Sequence, residues 1–145
     1  MRGYFGIGVY NPKTEINIGT LWRGAYCFGA SFIFTIGKRY KKQSSDTTKA
    51  WRTIPLYEYI DFIDFKKHIP YDCQPICIEN DENAKGIKNF VHPERCVYIL
   101  GAEDHGLSKE ILNTYKTHII IPAKMCLNVA VAGSIIMFDR INKNE

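Results

Sequence analysis

At 145 residues, 46% hydrophobic and 23% charged, the chain has the size and balance of one globular domain with a core of its own. Its apolar runs fall short of the roughly 18 residues of a membrane span, and Met1-Arg2-Gly3-Tyr4-Phe5 lacks a signal peptide's long apolar region. The net charge is +4, yet residues 38 to 52 alone carry +5, so the other 130 residues sum to −1.

Apolar runs alternate with helix-length segments, the pattern of an α/β domain with a mainly parallel sheet. Tyr4 to Tyr10 reads as a first strand, closed by Asn11-Pro12. Asn17 to Phe28 carries Ile18, Leu21, Trp22 and Ala25 at helical spacing and stops near Gly29. Ser31 to Ile36 is a second strand. The basic, Ser/Thr-rich stretch from Gly37 to Thr53 is a loop, and Ile54 to Tyr59 a short strand. Asp61 to His68 reads as a helix with Asp61 as N-cap and Pro70 as terminator. Pro75 to Glu79 and Cys96 to Leu100 are buried strands, and Ser108 caps the helix that follows. Thr117 to Ile121 is the last strand, stopped by Pro122, and Asn128 to Asn142 the closing helix. No linker divides residues 1 to 145, which are expected to form a single domain.

The five cysteines (Cys27, Cys73, Cys77, Cys96, Cys126) include no CxxC pair, and most sit in apolar runs. They read as reduced core thiols of a cytoplasmic protein, and no Cys/His cluster has zinc-ligand spacing, so no metal is expected. The basic excess at Lys38, Arg39, Lys41, Lys42, Lys49 and Arg52 fits a phosphate-contacting loop, and equally a solvated lysine-rich one.

Three segments carry candidate chemistry. In Leu100-Gly101-Ala102-Glu103-Asp104-His105-Gly106-Leu107, a strand ends in one glycine and a second follows before a helix, so a ligand can approach the main chain closely. The spacing matches neither dinucleotide nor P-loop motifs, and the acids in the loop suit a cationic ligand better than a pyrophosphate. An ordinary strand-to-helix turn is the alternative. In Ile121-Pro122-Ala123-Lys124-Met125-Cys126-Leu127-Asn128, a stopped strand leads to an asparagine suited to N-capping a small-residue helix. In Asn17 to Gly29, an asparagine at a helix start precedes Arg23 by six residues; a lone arginine there also serves as an interfacial residue.

In this order and with these separations, the segments resemble the three motifs of the TrmH/SpoU branch of the SPOUT RNA methyltransferases. Asn17 to Gly29 is similar to N-x-[IG]-x-x-x-R followed by phenylalanine-glycine. Gly101 to Leu107 is similar to G-x-E-x-x-G-[LM], and Ile121 to Ala132 to I-P-x(n)-S-L-N-V-[AS]-x-A. The resemblance spans nearly the whole chain.

It implies a parallel α/β fold with helices on both faces and a C-terminal trefoil knot, working as a homodimer away from membranes. It implies methyl transfer from S-adenosylmethionine to a ribose 2′-hydroxyl of RNA, with tRNA as the first expectation. The alternatives are rRNA, or a catalytically silent member that binds RNA or S-adenosylmethionine. By position, Asn17, Arg23, Glu103 and Asn128 match the residues proposed to act in catalysis, with Arg23 binding the target phosphate and steadying the developing alkoxide. Gly101, Ile121 and Leu127 match backbone contacts to the methyl donor, with Ile78 a further wall and Cys126 in the same loop. Lys38, Arg39, Lys41, Lys42 and Arg52 are the candidate RNA contacts, and His105 could reach substrate or simply be exposed. One departure stands out: Cys126 occupies the place of the motif's serine and is a poorer hydrogen-bond donor.

Overall fold

The structure, a computed structural model, describes residues 2–41 and 53–144. Seven strands form one sheet: β1 (Tyr4–Tyr10), β2 (Phe32–Ile36), β3 (Leu56–Tyr59), β4 (Gln74–Ile78), β5 (Lys85–Gly86), β6 (Arg95–Gly101) and β7 (His118–Ile120). The order across the sheet is β3-β2-β1-β6-β4-β7-β5, and every pairing is parallel. Among the described residues four α-helices accompany the sheet: α1 (Glu15–Phe28), α2 (Phe62–His68), α3 (Lys109–Thr114) and, after the last strand, α4 (Val129–Asn144).

The strand sequences explain the two-sided core. Side chains alternate across a pleated strand, so a run apolar at every position must be covered on both faces. Phe5, Ile7 and Val9 of β1, Ile33 of β2, Ile76 of β4 and Tyr98 and Leu100 of β6 point to one side. They pack there on Ile18, Leu21 and Ala25 of α1 and Ile136 and Met137 of α4. Phe34 and Ile36, Cys77, and Val97 and Ile99 point to the other, under Phe62 and Phe65 of α2 and Ile111 of α3. The helices α1 and α4 lie close because Gly133 faces Leu21: a Cβ at Gly133 would meet the Leu21 Cδ1 at 2.5 Å.

The expected elements appear at their places, with two differences of note. The first helix begins earlier, capped by Thr14, whose Oγ1 accepts the Asn17 N–H at 3.4 Å, so Asn17 lies in the first turn rather than at the cap. The edge strand β5 has only two residues and no periodicity from which to read it. The basic stretch lies only partly within the described residues: Lys38, Arg39 and Lys41 are described, whereas Lys42, Lys49 and Arg52 lie outside them. Among the described residues no helix is long and apolar enough to cross a membrane, and no group of three His, Cys, Asp or Glu side chains could hold a metal.

Candidate active site

In a parallel sheet the loops that leave the strand carboxyl ends converge along one edge, and ligand clefts form there. Here the loops after β4, β6 and β7 enclose a cavity of about 590 Å³, within the range of small-molecule sites. Ile78, Gly101, Ile121, Cys126 and Leu127 all line it, as does Glu103. These residues come from segments far apart in sequence, and the sheet order β6-β4-β7 brings them together.

The shape of the loop after β6 depends on two glycines. Gly106 has φ +65°, and a Cβ on Gly101 would overlap the Gly106 backbone, so neither position accepts a side chain without moving the loop. Within it the Gly106 N–H donates to the Ala102 carbonyl at 2.7 Å. Glu79, at the end of β4, fastens the far side: its Oε2 accepts the Leu107 N–H at 2.7 Å and its Oε1 the Asn80 N–H at 3.2 Å. In the sequence Glu79 carries one signal only, an acid closing a buried strand.

Asn128 joins the first segment to the third. Its Oδ1 accepts the N–H groups of Ala130 (2.9 Å) and Val131 (3.2 Å), capping α4, while its Nδ2 donates to Asn17 Oδ1 at 3.0 Å across 111 residues of chain. Glu103 reaches the same helix start, its Oε1 accepting the Val129 N–H at 3.3 Å. Glu103, and Asn128 with Asn17 bonded to it, therefore meet at the first turn of α4, with a carboxylate at a helix N-terminus where the dipole favours it. Arg23 is not part of this set: it is exposed on α1 and does not line the cavity.

Two cations of the basic loop have carboxylate partners within the chain. Lys38 pairs with Glu58, and its ammonium lies 5.5 Å from the centre of the Tyr40 ring. Arg39 grips Asp104 with both guanidinium nitrogens at 2.8 Å, and its Nε donates to the Asn11 carbonyl at 3.1 Å. Arg39 thereby ties the ends of β1, β2 and β6 together and holds the Asp104 carboxyl well below the usual carboxylate range. Two of the three described cations proposed for RNA are thus neutralised within the chain, because carboxylates distant in sequence lie beside them in the fold. Lys41 and His105 are exposed, and His105 sits 3.6 Å from Asp104.

The cavity wall carries Glu79, Asp81, Glu103 and Asp104 against one lysine, Lys124. Leu100, Ile121 and Leu127 supply apolar surface beside them. Such a lining suits a ligand with an apolar or aromatic body and a positive centre, and does not suit a pyrophosphate.

A family model described as the SpoU rRNA Methylase family matches residues 5–138. Among solved structures, one concerning the 2-OH methylation of C/U34 on tRNA superposes with TM-score 0.83 at 18% identity, covering 99% of this chain and 92% of that one. An rRNA methyltransferase from Sinorhizobium meliloti gives 0.83 at 22% identity over 99% of this chain but 57% of its own, so the chain spans little more than half of that protein. A TrmH/SpoU tRNA modifying enzyme from A. aeolicus gives 0.77 at 20%, covering 98% and 76%. No curated protein sequence matches. At these identities the structural likeness shows a shared fold.

Proposed function

The chain belongs to the SpoU rRNA methylase family, a family of RNA methyltransferases, and on that premise we propose that it moves a methyl group from S-adenosylmethionine to a ribose 2′-hydroxyl of RNA, tRNA first. The observation that carries this reading is the acidic, partly apolar cavity walled by the second and third motif segments, beside which the first is tied to the third by the Asn17–Asn128 hydrogen bond. S-adenosylmethionine combines a flat apolar base with a sulfonium cation, which fits that lining. Structures of relatives from Sinorhizobium meliloti and Streptomyces viridochromogenes hold the same compound.

When bound, the donor supplies a methyl carbon already activated by positive sulfur. The chain's own residues must hold the acceptor hydroxyl in line and manage its charge. Gly101, Ile121 and Leu127 offer main-chain groups to the donor, with Ile78 and Cys126 completing the wall. Glu103, Asn17 and Asn128 hold the loops in place. Arg23, always charged and unable to take a proton, binds the target phosphate and stabilises the oxygen as its proton passes to solvent. Because Arg23 lies outside the cavity of its own chain, the reading includes a homodimer. Exposed Ile16 (79%), Tyr26 (48%), Val131 (48%) and Phe138 (57%) on α1 and α4 are the apolar surface for it. It also includes a knotted C-terminal segment: β7 lies beyond β4, yet α4 packs beside α1, so residues 121 to 128 return across the cavity mouth.

Calorimetry with S-adenosylhomocysteine, followed by transfer of labelled methyl to unmodified tRNA and rRNA with nucleoside mass mapping, tests the reading. Binding followed by a 2′-O-methyl nucleoside is expected; absence of binding, or a methylated base, overturns it. Arg23→Ala should abolish transfer and leave S-adenosylhomocysteine affinity within about twofold. Cys126 in place of serine favours a second reading, a silent binder, which predicts cofactor affinity without transfer to any RNA.

A further inference from the structure

A second cavity, of about 630 Å³, opens where the edge strand β5 meets the start of β7. Lys85, Lys88 and Lys116 line it, and no carboxylate does among the described residues. None of the three lysines makes an ion pair among the described residues, whereas Lys38, Arg39, Arg95 and Lys143 are all paired. Asn83 and Asn89 add two side-chain amides, and Phe90 and the exposed Val91 (83%) add apolar surface. Three lysines without an ion pair among the described residues, two amides and the half-buried Phe90 on one cavity wall offer partners for phosphate, base edge and base face.

The position ties this cavity to the first one. The first cavity lies at the end of β7, lined by Ile120 and Ile121, and the second at its start, lined by Thr117 and His118. Between them His118 is buried, with Nδ1 2.7 Å from Asp81 Oδ2 and Nε2 2.6 Å from the Tyr115 carbonyl. Asp81 lines the first cavity and His118 the second, so they share this wall.

We propose that the Lys85–Lys88–Lys116 cavity is a second docking site that takes phosphates and an unstacked base of a single-stranded RNA segment. The site deepens the RNA reading above and rests on it. It moves the RNA contact away from the loop at Lys38 and Arg39, whose charges are spent on Glu58 and Asp104. Exposed lysines without an ion pair among the described residues release counterions when phosphate replaces those ions, which makes binding salt-dependent.

The test measures anisotropy of fluorescein-labelled oligouridylate and of an unmodified tRNA transcript across a salt series. The proteins are the full chain, Lys85→Glu/Lys88→Glu/Lys116→Glu and the milder Lys85→Gln/Lys88→Gln/Lys116→Gln. Loss of about tenfold or more in RNA affinity is expected for the charge reversal, with a salt slope shallower by about two, since each single-strand phosphate contact contributes roughly 0.7. The neutral variant should fall between. S-adenosylhomocysteine affinity by calorimetry should stay unchanged in both, which separates this site from the methyl-donor reading and shows that the variants fold. Unchanged RNA affinity and slope in both variants overturn the proposal, as does a parent chain that binds S-adenosylhomocysteine but neither RNA. Equal competition by inorganic phosphate at the same phosphate concentration also overturns it, because the cavity is then a simple anion pocket.

Discussion

Asn128 shows how much one side chain can do when its two ends differ. Its carbonyl oxygen caps α4 and its amide nitrogen holds Asn17, so the two functions separate chemically. Asn128→Asp keeps the cap but places an acceptor opposite Asn17 Oδ1. It should leave thermal stability nearly unchanged while methyl transfer falls about tenfold or more, as measured by denaturation and labelled-methyl assay. Asn128→Ala loses the cap as well and should cost about 1 kcal/mol. The capping role was legible from an asparagine before a small-residue helix; the partner, 111 residues away, was not.

His92 is a second case in which partners decide chemistry. Its Nδ1 lies 2.7 Å from the Tyr98 hydroxyl and its Nε2 2.7 Å from Asp139 Oδ2, with Arg140 and Lys143 nearby. Burial lowers its pKa more than Asp139 raises it, and the two cations push the same way as burial. The folded state therefore holds its proton less readily than the unfolded chain. Its contribution to stability is present above the ordinary histidine value of about 6.5 and is lost as pH falls below it. Melting temperature should drop with acidification in that window, and a shallower drop is expected in His92→Gln; equal slopes would assign the acid sensitivity to other groups.

At the scale of elements, periodicity carried the helices and strands because apolar residues recur at the spacing each element buries. It missed β5, whose two residues have no period, and it could not assign Arg140. That arginine is fully buried in α4, donating to the carbonyls of Pro93 (2.6 Å) and Glu94 (2.9 Å) and to the Tyr98 hydroxyl (3.2 Å), with its guanidinium 5.0 Å from the Phe5 ring. It locks the last turns of α4 to the start of β6, which a helical wheel would mark only as an anomalous charge on the core face. Arg140→Leu removes the donor to the Pro93 carbonyl and the second donor to the Glu94 carbonyl, which keeps the Tyr4 N–H, and should cost about 3 kcal/mol by urea unfolding. It should leave the cavity at the opposite end of β6 with near-parent affinity for S-adenosylhomocysteine.

For the whole molecule, the exposed apolar residues of α1 and α4 and the absence of Arg23 from its own chain's cavity belong to one arrangement under the dimer reading. Val131→Glu/Phe138→Glu should shift sedimentation to a monomer and reduce methyl transfer in parallel, whereas a parent chain that sediments as a monomer at assay concentration would sink it. By itself the sequence determined the order of every element but β5, the two-faced parallel sheet, the family and two of the segments that line the cavity, because these follow from short-range periodicity and from motifs of fixed local spacing. Only the tertiary structure decided which charges are free. Carboxylates at Glu58 and Asp104 neutralise Lys38 and Arg39, two of the basic residues that looked available, while Lys85, Lys88 and Lys116, unremarkable in sequence, line one cavity at the far sheet edge with no ion pair among the described residues. Electrostatic pairing acts over a few ångströms between residues tens of positions apart, a distance that no local pattern records.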